Sequence, residues 1–179
     1  EMPPGRKPVK TYVVNGSYTE RLRIFFGKEM TEGRQVYVVC PLVEESEKLD
    51  LQAAEELYIE LKKYFYKTFK VGLIHGRMKP DEKETIMNDF YNGEISLLVS
   101  TTVVEVGVNV PNATIMCIEG AERFGLSQLH QLRGRVGRGT AQSYCILVSD
   151  AKNDLTRERL KLMEQIQDGF ELAEQDLFL

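Results

Sequence analysis

The chain has 179 residues, of which 42% are hydrophobic and 28% charged, and its formal net charge is −4. A chain of this length can bury a substantial core as one domain, and its apolar share excludes general disorder. The acidic excess argues against a protein that holds nucleic acid by overall charge, so any such contact has to be local. No apolar run approaches the length of about 18 residues that a membrane helix needs, which leaves a membrane role without support and indicates a cytoplasmic protein.

Short apolar runs alternate with amphipathic segments along the chain. They predict six strands, at residues 11–14, 36–40, 71–74, 95–99, 114–118 and 143–148, and helices at 18–31, about 51–66 and about 80–91. This alternation is typical of an α/β domain whose mainly parallel sheet is covered by helices on both faces. We assign that domain to residues 11–150. A proline-rich linker at 1–10 precedes it and a helical C-terminal segment at 151–179 follows it.

In a sheet of this kind, ligands bind beyond the carboxyl ends of the strands. His75, residues 100–102 and residues 119–123 would all emerge at that rim. His75 by itself carries little weight, since a single histidine after a strand is more often structural. Arg77 lies two residues further on and is suited to a phosphate contact, although an ordinary surface arginine has the same appearance in sequence.

The most informative segment is glycine-punctuated and rich in arginine, at residues 123–138. If it is one helix, Gln131, Arg135 and Arg138 share a sector of about 60°, because a helix turns about 100° per residue. Glycines at 134, 137 and 139 weaken a helix. Their presence suggests that close approach of another surface, which a side chain would block, matters more here than helix stability. Arginine suits a phosphate there, because its planar fork donates two hydrogen bonds to phosphate oxygens. The alternative is a helix end with ordinary surface arginines.

A second polar segment follows the predicted strand 95–99. Ser100, Thr101 and Thr102 can cap the backbone N–H groups that come next, which makes a strand-to-helix corner suited to an anion. Valines then alternate with Glu105, Gly107 and Asn109. With a period of two, these three residues should lie on the same side of the segment. A half-buried strand or loop leading into a proline would produce the same alternation.

Other features of the sequence exclude some functions and some kinds of site. No segment matches Gly-x-x-x-x-Gly-Lys-Ser/Thr, the loop that cradles nucleotide phosphates and positions magnesium, so the chain cannot be a complete nucleotide-driven motor. The acidic run 81–84 follows a proline and opens a helix, where carboxylates complement the helix dipole, so we do not read it as a metal site. Three cysteines in apolar runs, at 40, 117 and 145, lack metal-ligand spacing and are predicted to be buried thiols.

These motifs together resemble a known family. Residues 100–111, STTVVEVGVNVP, are similar to motif V of superfamily 2 helicases and translocases, and residues 131–138, QLRGRVGR, to motif VI. Residues 75–78, HGRM, resemble the motif IV region. Within the superfamily, the segments 1–8, 40–47 and 129–134 resemble RecG-type branched-DNA helicases most closely. Mfd-type transcription-repair coupling translocases share motifs V and VI and are the nearest alternative.

The resemblance implies a RecA-like three-layer domain, the second lobe of a helicase motor, which lacks the phosphate loop. It implies an ATP-dependent enzyme that remodels branched DNA, with ATP and Mg²⁺ bound together with a first, N-terminal lobe, and with a wedge domain in the same parent chain. No membrane partner is implied. A stand-alone module that binds nucleic acid or nucleotide without turnover is the alternative from another class.

The resemblance also assigns roles to individual positions. Arg138 and Arg135 would reach the γ-phosphate of ATP, and Gln131 would help to orient them. Glu105, Gly107 and Asn109 would contact the nucleotide, while Thr101, Thr102, His75 and Arg77 would contact DNA. Asn109 departs from the family, which usually has aspartate there. Asparagine keeps the carbonyl that can accept a ribose hydrogen bond but loses the charge.

Overall fold

The computed structural model describes residues 7–42, 47–101 and 109–166. The strands are β1 (Lys10–Val14), β2 (Gln35–Val39), β3 (Val71–Ile74), β4 (Leu97–Ser100), β5 (Ala113–Ile118) and β6 (Tyr144–Val148). They form one sheet in the order β1-β6-β5-β2-β4-β3, and every pairing is parallel. The parallel α/β sheet predicted from the alternation of elements is confirmed.

In the described part of the chain, five α-helices cover the sheet: α1 (Thr19–Thr31), α2 (Glu47–Tyr64), α3 (Pro80–Tyr91), α4 (Leu126–Arg133) and α5 (Asp154–Gln165). One core cluster joins a face of the sheet to α3, α4 and α5, through side chains such as Phe90, Leu129 and Met163. The other cluster joins the opposite face to α1 and α2, through Phe26 and Leu61. The central strands β2, β4 and β5 are buried at every residue, which explains their uninterrupted apolar runs.

Most boundaries agree with the sequence prediction to within one residue, and the larger differences are at the two ends of α2 and at the start of β4. Helix α2 begins at Glu47 rather than near residue 51, because Glu47 and Asp50 place acidic charge in its first turn, where the helix dipole favours it. Strand β4 begins at Leu97 rather than at Ile95. Ile95 is fully buried, but its N–H bonds the Asp89 carbonyl, so it closes the turn after α3 instead of joining the ladder.

The three cysteines are free and buried, as predicted. Burial raises the pKa of the Cys40 and Cys145 thiols to about 12, so both are protonated and unreactive at neutral pH. Among the described residues, no helix combines the length and apolarity that crossing a bilayer requires. The same part of the chain holds no group of three His, Cys, Asp or Glu side chains arranged to bind a metal ion.

Candidate functional site

The carboxyl ends of β3 and β4 bring two predicted site residues together. β3 ends at Ile74 and β4 at Ser100, and the Thr101 N–H donates to the Ile74 carbonyl at 3.3 Å. His75 and Thr101 therefore start adjacent loops at one rim of the sheet. Thr102, the other predicted threonine, lies outside the described residues.

Thr101 is completely buried, and its hydroxyl oxygen has no hydrogen-bond partner in the described structure. A buried polar group without a partner costs about 1–3 kcal/mol. Contact between this hydroxyl and a DNA phosphate therefore requires the residues that bury it to move. The cost of that rearrangement would be partly offset by the hydrogen bond that the hydroxyl gains.

The turn after β3 is held by its own hydrogen bonds. The His75 N–H contacts the Met78 sulfur at 3.4 Å, and His75 Nδ1 accepts from the Arg77 N–H at 3.2 Å. The Arg77 side chain is 62% exposed and its Nε lies 3.1 Å from Oε1 of Glu47. A phosphate at Arg77 would therefore compete with a carboxylate for the same guanidinium.

The arginines of the glycine-rich segment do not lie on one helix with Gln131, so that prediction is wrong. Helix α4 ends at Arg133. Gly137 has φ of +81°, a left-handed conformation that stops any helical continuation. Arg138 Nε instead donates to the Gly134 carbonyl at 3.0 Å and so covers the end of α4. Residues 134–140 form a loop, which we call the arginine loop.

The arginine loop lies at the amino ends of the strands, so it does not share the rim with Thr101 and His75. The Gly137 N–H donates to the Ser143 hydroxyl at 3.0 Å, directly before β6. A Cβ on Gly139 would lie 2.9 Å from the Pro111 carbonyl oxygen, shortly before β5. The reason is topological: α4 packs antiparallel to the strands and returns the chain to their starting edge. The close approach that the glycines indicated is real, but at Gly139 the neighbour is this chain's own backbone.

Both arginines of the loop are half-buried, and within the described residues no salt bridge joins Arg135 or Arg138 to a carboxylate. Burial raises the pKa of Tyr37 to about 12, and Arg135 and Arg138 both act to lower it, so the two guanidiniums lie within electrostatic range of one phenol. Two neighbouring cations without an acidic partner fit an anion with several oxygens.

Of the four remaining predicted residues, two lie near this loop and two lie outside the described residues. Gln131 is exposed on the last turn of α4. Asn109 is exposed and lies two residues before Pro111, which the arginine loop contacts through Gly139. Glu105 and Gly107 lie outside the described residues.

The sequence analysis missed the role of Arg133. This side chain is 3% exposed, donates to the carbonyls of Met163 at 2.6 Å and Ile166 at 2.9 Å, and so caps the end of α5. Burial lowers its pKa. A signal was present, because Arg133 stands four residues after Leu129 on the apolar stripe of α4, a position where a cation is unexpected unless it is hydrogen-bonded.

A second missed group fixes the turn that leads into α4. Arg123 donates to both oxygens of the buried Asp50, at 2.8 and 2.9 Å. Arg159 of α5 donates to the carbonyls of Phe124 at 2.8 Å and Glu122 at 2.9 Å. These bonds tie the start of α4 to α2 and to α5, so the helix that ends in the arginine loop is held at both ends.

A six-stranded parallel sheet that carries an arginine loop but no phosphate loop defines a class: the second RecA-like lobe of helicase motors. Residues 17–140 match the model of the family described as helicase conserved C-terminal domain. The chain belongs to this family. The DEAD-box protein Mss116p, whose helicase domain 2 has been solved on an RNA duplex, has a TM-score of 0.68 at 18% identity over 88% of this chain and 60% of that one, which shows the shared fold.

Within the family, the similarity to RecG extends over the whole chain. The ATP-dependent DNA helicase RecG of Bacillus subtilis is 55% identical over 179 residues, which are 100% of this chain and 26% of that protein. RecG of Synechocystis is 53% identical over 100% of this chain and 22% of its own length. A solved structure of RecG bound to a three-way DNA junction matches with a TM-score of 0.83 and 45% identity, over 99% of this chain and 23% of that one. The chain therefore spans about a quarter of the length of these relatives.

Proposed function

We propose that this chain is the second motor lobe of an ATP-dependent DNA helicase that remodels branched DNA, at replication forks and Holliday junctions, in recombination and repair. The observation that carries the proposal is the match over 99% of the chain to RecG in a structure on a three-way DNA junction. Such an enzyme acts on chromosomal DNA in the cytoplasm. In this proposal, residues 1–10 link the lobe to a first motor lobe, residues 11–150 form the lobe itself, and residues 151–179 lead towards a wedge domain.

The arginine loop is the proposed point of contact with ATP, whose hydrolysis supplies the free energy of movement. Arg138 and Arg135 would donate to γ-phosphate oxygens, and Gln131 would help to orient them. Their half-buried guanidiniums have no carboxylate partner among the described residues, so little has to be broken before they bind phosphate. Arginines in such positions accelerate phosphoryl transfer by about 10³–10⁵ because they stabilise charge that develops in the transition state.

The remaining nucleotide contacts are proposed for Glu105, Gly107 and Asn109. Asn109 would accept a ribose hydroxyl hydrogen bond through its side-chain carbonyl, without the charge of the family's usual aspartate. Mg²⁺ would be held by the first lobe, because the described residues of this one offer no cluster of acidic ligands.

The opposite rim is the proposed DNA contact. Thr101 and Thr102 would bind one backbone phosphate, and His75 and Arg77 another. Such contacts fix the position of DNA but carry little sequence information, as suits an enzyme that recognises the shape of a junction. Because α4 packs on the sheet in one core cluster, a movement of the arginine loop on hydrolysis would shift the rim and the DNA with it.

The identity of 55% to RecG over the entire chain supports a RecG-type rather than an Mfd-type enzyme. The proposal is tested by ATP hydrolysis with and without forked DNA, on this chain alone and on the complete enzyme that carries it. We expect turnover only in the complete enzyme, and stimulation by the fork. Turnover by the isolated chain would reveal a phosphate site within it. Absence of turnover in both would favour a binding module.

A further inference from the structure

A groove with a mixed lining, apolar at Val13, Val14 and Leu160 and otherwise mainly polar or charged, lies at the far end of the carboxyl rim, between the turn after β1 and helix α5. It has a volume of about 640 Å³ and is lined by Asn15, Tyr18, Ser149, Lys152, Arg157 and Lys161, among others. None of these residues belongs to the motifs that define the family. We propose that this groove is a second binding site for the DNA phosphate backbone. The proposal rests on the proposed function and extends it.

The charges of the groove favour a polyanion. Lys152, Arg157 and Lys161 are all exposed, and Arg157 and Lys161 stand four residues apart on one face of α5. Among the described residues that line the groove, the one acidic side chain is Asp150, whose Oδ1 accepts the Gly16 N–H at 2.8 Å. Within that lining, three cations therefore face one carboxylate that is already hydrogen-bonded, while Asp154 and Glu158 are exposed on α5 outside it.

The groove also offers the kinds of donors that contact phosphate and sugar oxygens. Arg157 Nε donates to the Ala151 carbonyl at 3.1 Å, which fixes the side chain while its terminal nitrogens remain to bind a ligand. Tyr18 is 37% exposed at the groove wall. Lysine, arginine and tyrosine side chains are among the groups that commonly hold a nucleic-acid backbone.

A second groove with basic residues, along the edge strand β3, differs in both position and chemistry. It is also lined by lysines, at 62, 67 and 70, but its other walls include Phe69, Leu73, Met78 and Ile86. Lys67 and Lys70 precede β3, so this groove reaches the amino end of the strand. An apolar wall leaves phosphate oxygens without partners, and for that reason we assign the backbone to the first groove only.

The spacing of the strands sets the length of DNA that would join the two sites. Four strand intervals separate β4, which ends next to Thr101, from β1, which ends at the groove. At about 4.8 Å per interval the two sites are roughly 19 Å apart. B-DNA advances about 3.4 Å per base pair along its axis, so a duplex that lies along the rim would cover this distance with about six base pairs.

The test is the binding of forked DNA by the complete enzyme, followed by fluorescence anisotropy over a series of KCl concentrations. In Lys152→Ala/Lys161→Ala, two exposed side chains are shortened and Arg157 keeps its bond to Ala151. Each phosphate contact contributes about 0.9 to the magnitude of the slope of log K, where K is the DNA-binding constant, against the logarithm of the salt concentration. We therefore expect the magnitude of this slope to fall by about 2 in the double variant. The affinity at low salt should fall at least about fivefold. Asp150→Asn keeps an acceptor for Gly16 and should tighten binding.

The matched control is Lys62→Ala/Lys67→Ala, which removes two lysines from the groove along β3 and should leave the slope unchanged. Equal losses in the two double variants would show an effect of net charge alone and would overturn the proposal. Wild-type slopes in both would overturn it as well. In either case, normal binding by the wild-type enzyme would leave the proposed function standing. If the wild-type enzyme fails to bind forked DNA, the proposed function itself is wrong, and this inference falls with it.

Discussion

The arginine loop and the carboxyl rim differ in how their cations are used. On the rim, Arg77 is paired with Glu47 and Arg123 with both oxygens of Asp50. In the arginine loop, neither Arg135 nor Arg138 forms a salt bridge with any described residue. At positions 77 and 123, arginine is therefore paired with a carboxylate of the lobe itself, whereas the arginine loop keeps two guanidiniums without such a partner among the described residues. An anion at Arg77 has to displace a carboxylate, and an anion at the arginine loop does not.

Loss of an available arginine should have the largest effect. We expect Arg138→Ala in the complete enzyme to reduce DNA-stimulated ATP hydrolysis by about 10³-fold or more, while nucleotide affinity stays within about tenfold, because the lost interaction forms mainly in the transition state. Turnover and nucleotide binding are measured separately. Arg138→Lys, which keeps a point charge but loses the planar fork, should retain part of the rate. An unchanged turnover number in Arg138→Ala would show that the loop does not contact the reacting phosphate.

Loss of a buried arginine should instead affect stability. Arg133→Met retains an apolar stem of similar length but leaves the carbonyls of Met163 and Ile166 without their donor. We expect the free energy of unfolding to fall by about 2–3 kcal/mol, measured by urea denaturation of the chain. Arg157→Met on the exposed face of α5 is the matched control and should change stability by less than about 0.5 kcal/mol. Equal effects in the two variants would mean that Arg133 does not hold α4 to α5.

The sequence predicted the order of strands and helices because each strand is a short apolar run and the breaks between them carry glycine or proline. It also placed His75 and Thr101 at the same rim, since parallel strands end at a common edge. It could not place the arginine loop. Helical spacing makes Gln131, Arg135 and Arg138 neighbours only if the helix continues, and the left-handed Gly137 that stops it is set by the packing of the loop against the starts of β5 and β6.

Long-range pairs such as Arg123 with Asp50 were out of reach for a related reason. The two residues are 73 positions apart, and no local pattern links them. Their contact depends on the position of α2 next to the turn after β5, which only the assembled sheet determines. Arg133 was different, because its place on an apolar stripe was visible in the sequence and was overlooked.

A buried carboxylate, Glu29, and a half-buried one, Glu119, lie at opposite ends of the sheet and should give opposite responses to pH. For Glu29, burial raises the pKa, but hydrogen bonds from Arg34 and Thr114 outweigh it and the net pKa is lowered. Its stabilising contribution is therefore complete above the ordinary pKa of glutamate and is lost as the pH falls through the lowered value. For Glu119, burial raises the pKa, so the folded state loses stability as the pH rises through the interval between the ordinary and the raised value.

Single substitutions to glutamine test these signs. Glu29→Gln should destabilise the chain at pH 7, and the difference from wild type should shrink below about pH 4. Glu119→Gln should stabilise it at pH 7, again with a difference that disappears in acid. The measurement is the urea midpoint of each variant between pH 3 and pH 8. If both variants shifted the urea midpoint in the same direction at pH 7, the two carboxylates would not have opposite effects on stability.

The smallest effect is expected at the ion pair between Arg77 and Glu47. Because both side chains are largely exposed, the pair is weak, and Glu47→Gln should free the guanidinium at little cost to stability. If Arg77 contacts a DNA phosphate, the complete enzyme with Glu47→Gln should bind forked DNA about two- to threefold more tightly at low salt, a gain that ionic screening removes at high salt. The double variant Glu47→Gln/Arg77→Ala distinguishes release of the Arg77 guanidinium from the general effect of removing one negative charge. The gain should vanish in the double variant if Glu47 competes with DNA for Arg77, and it should persist if Glu47 only repels the DNA.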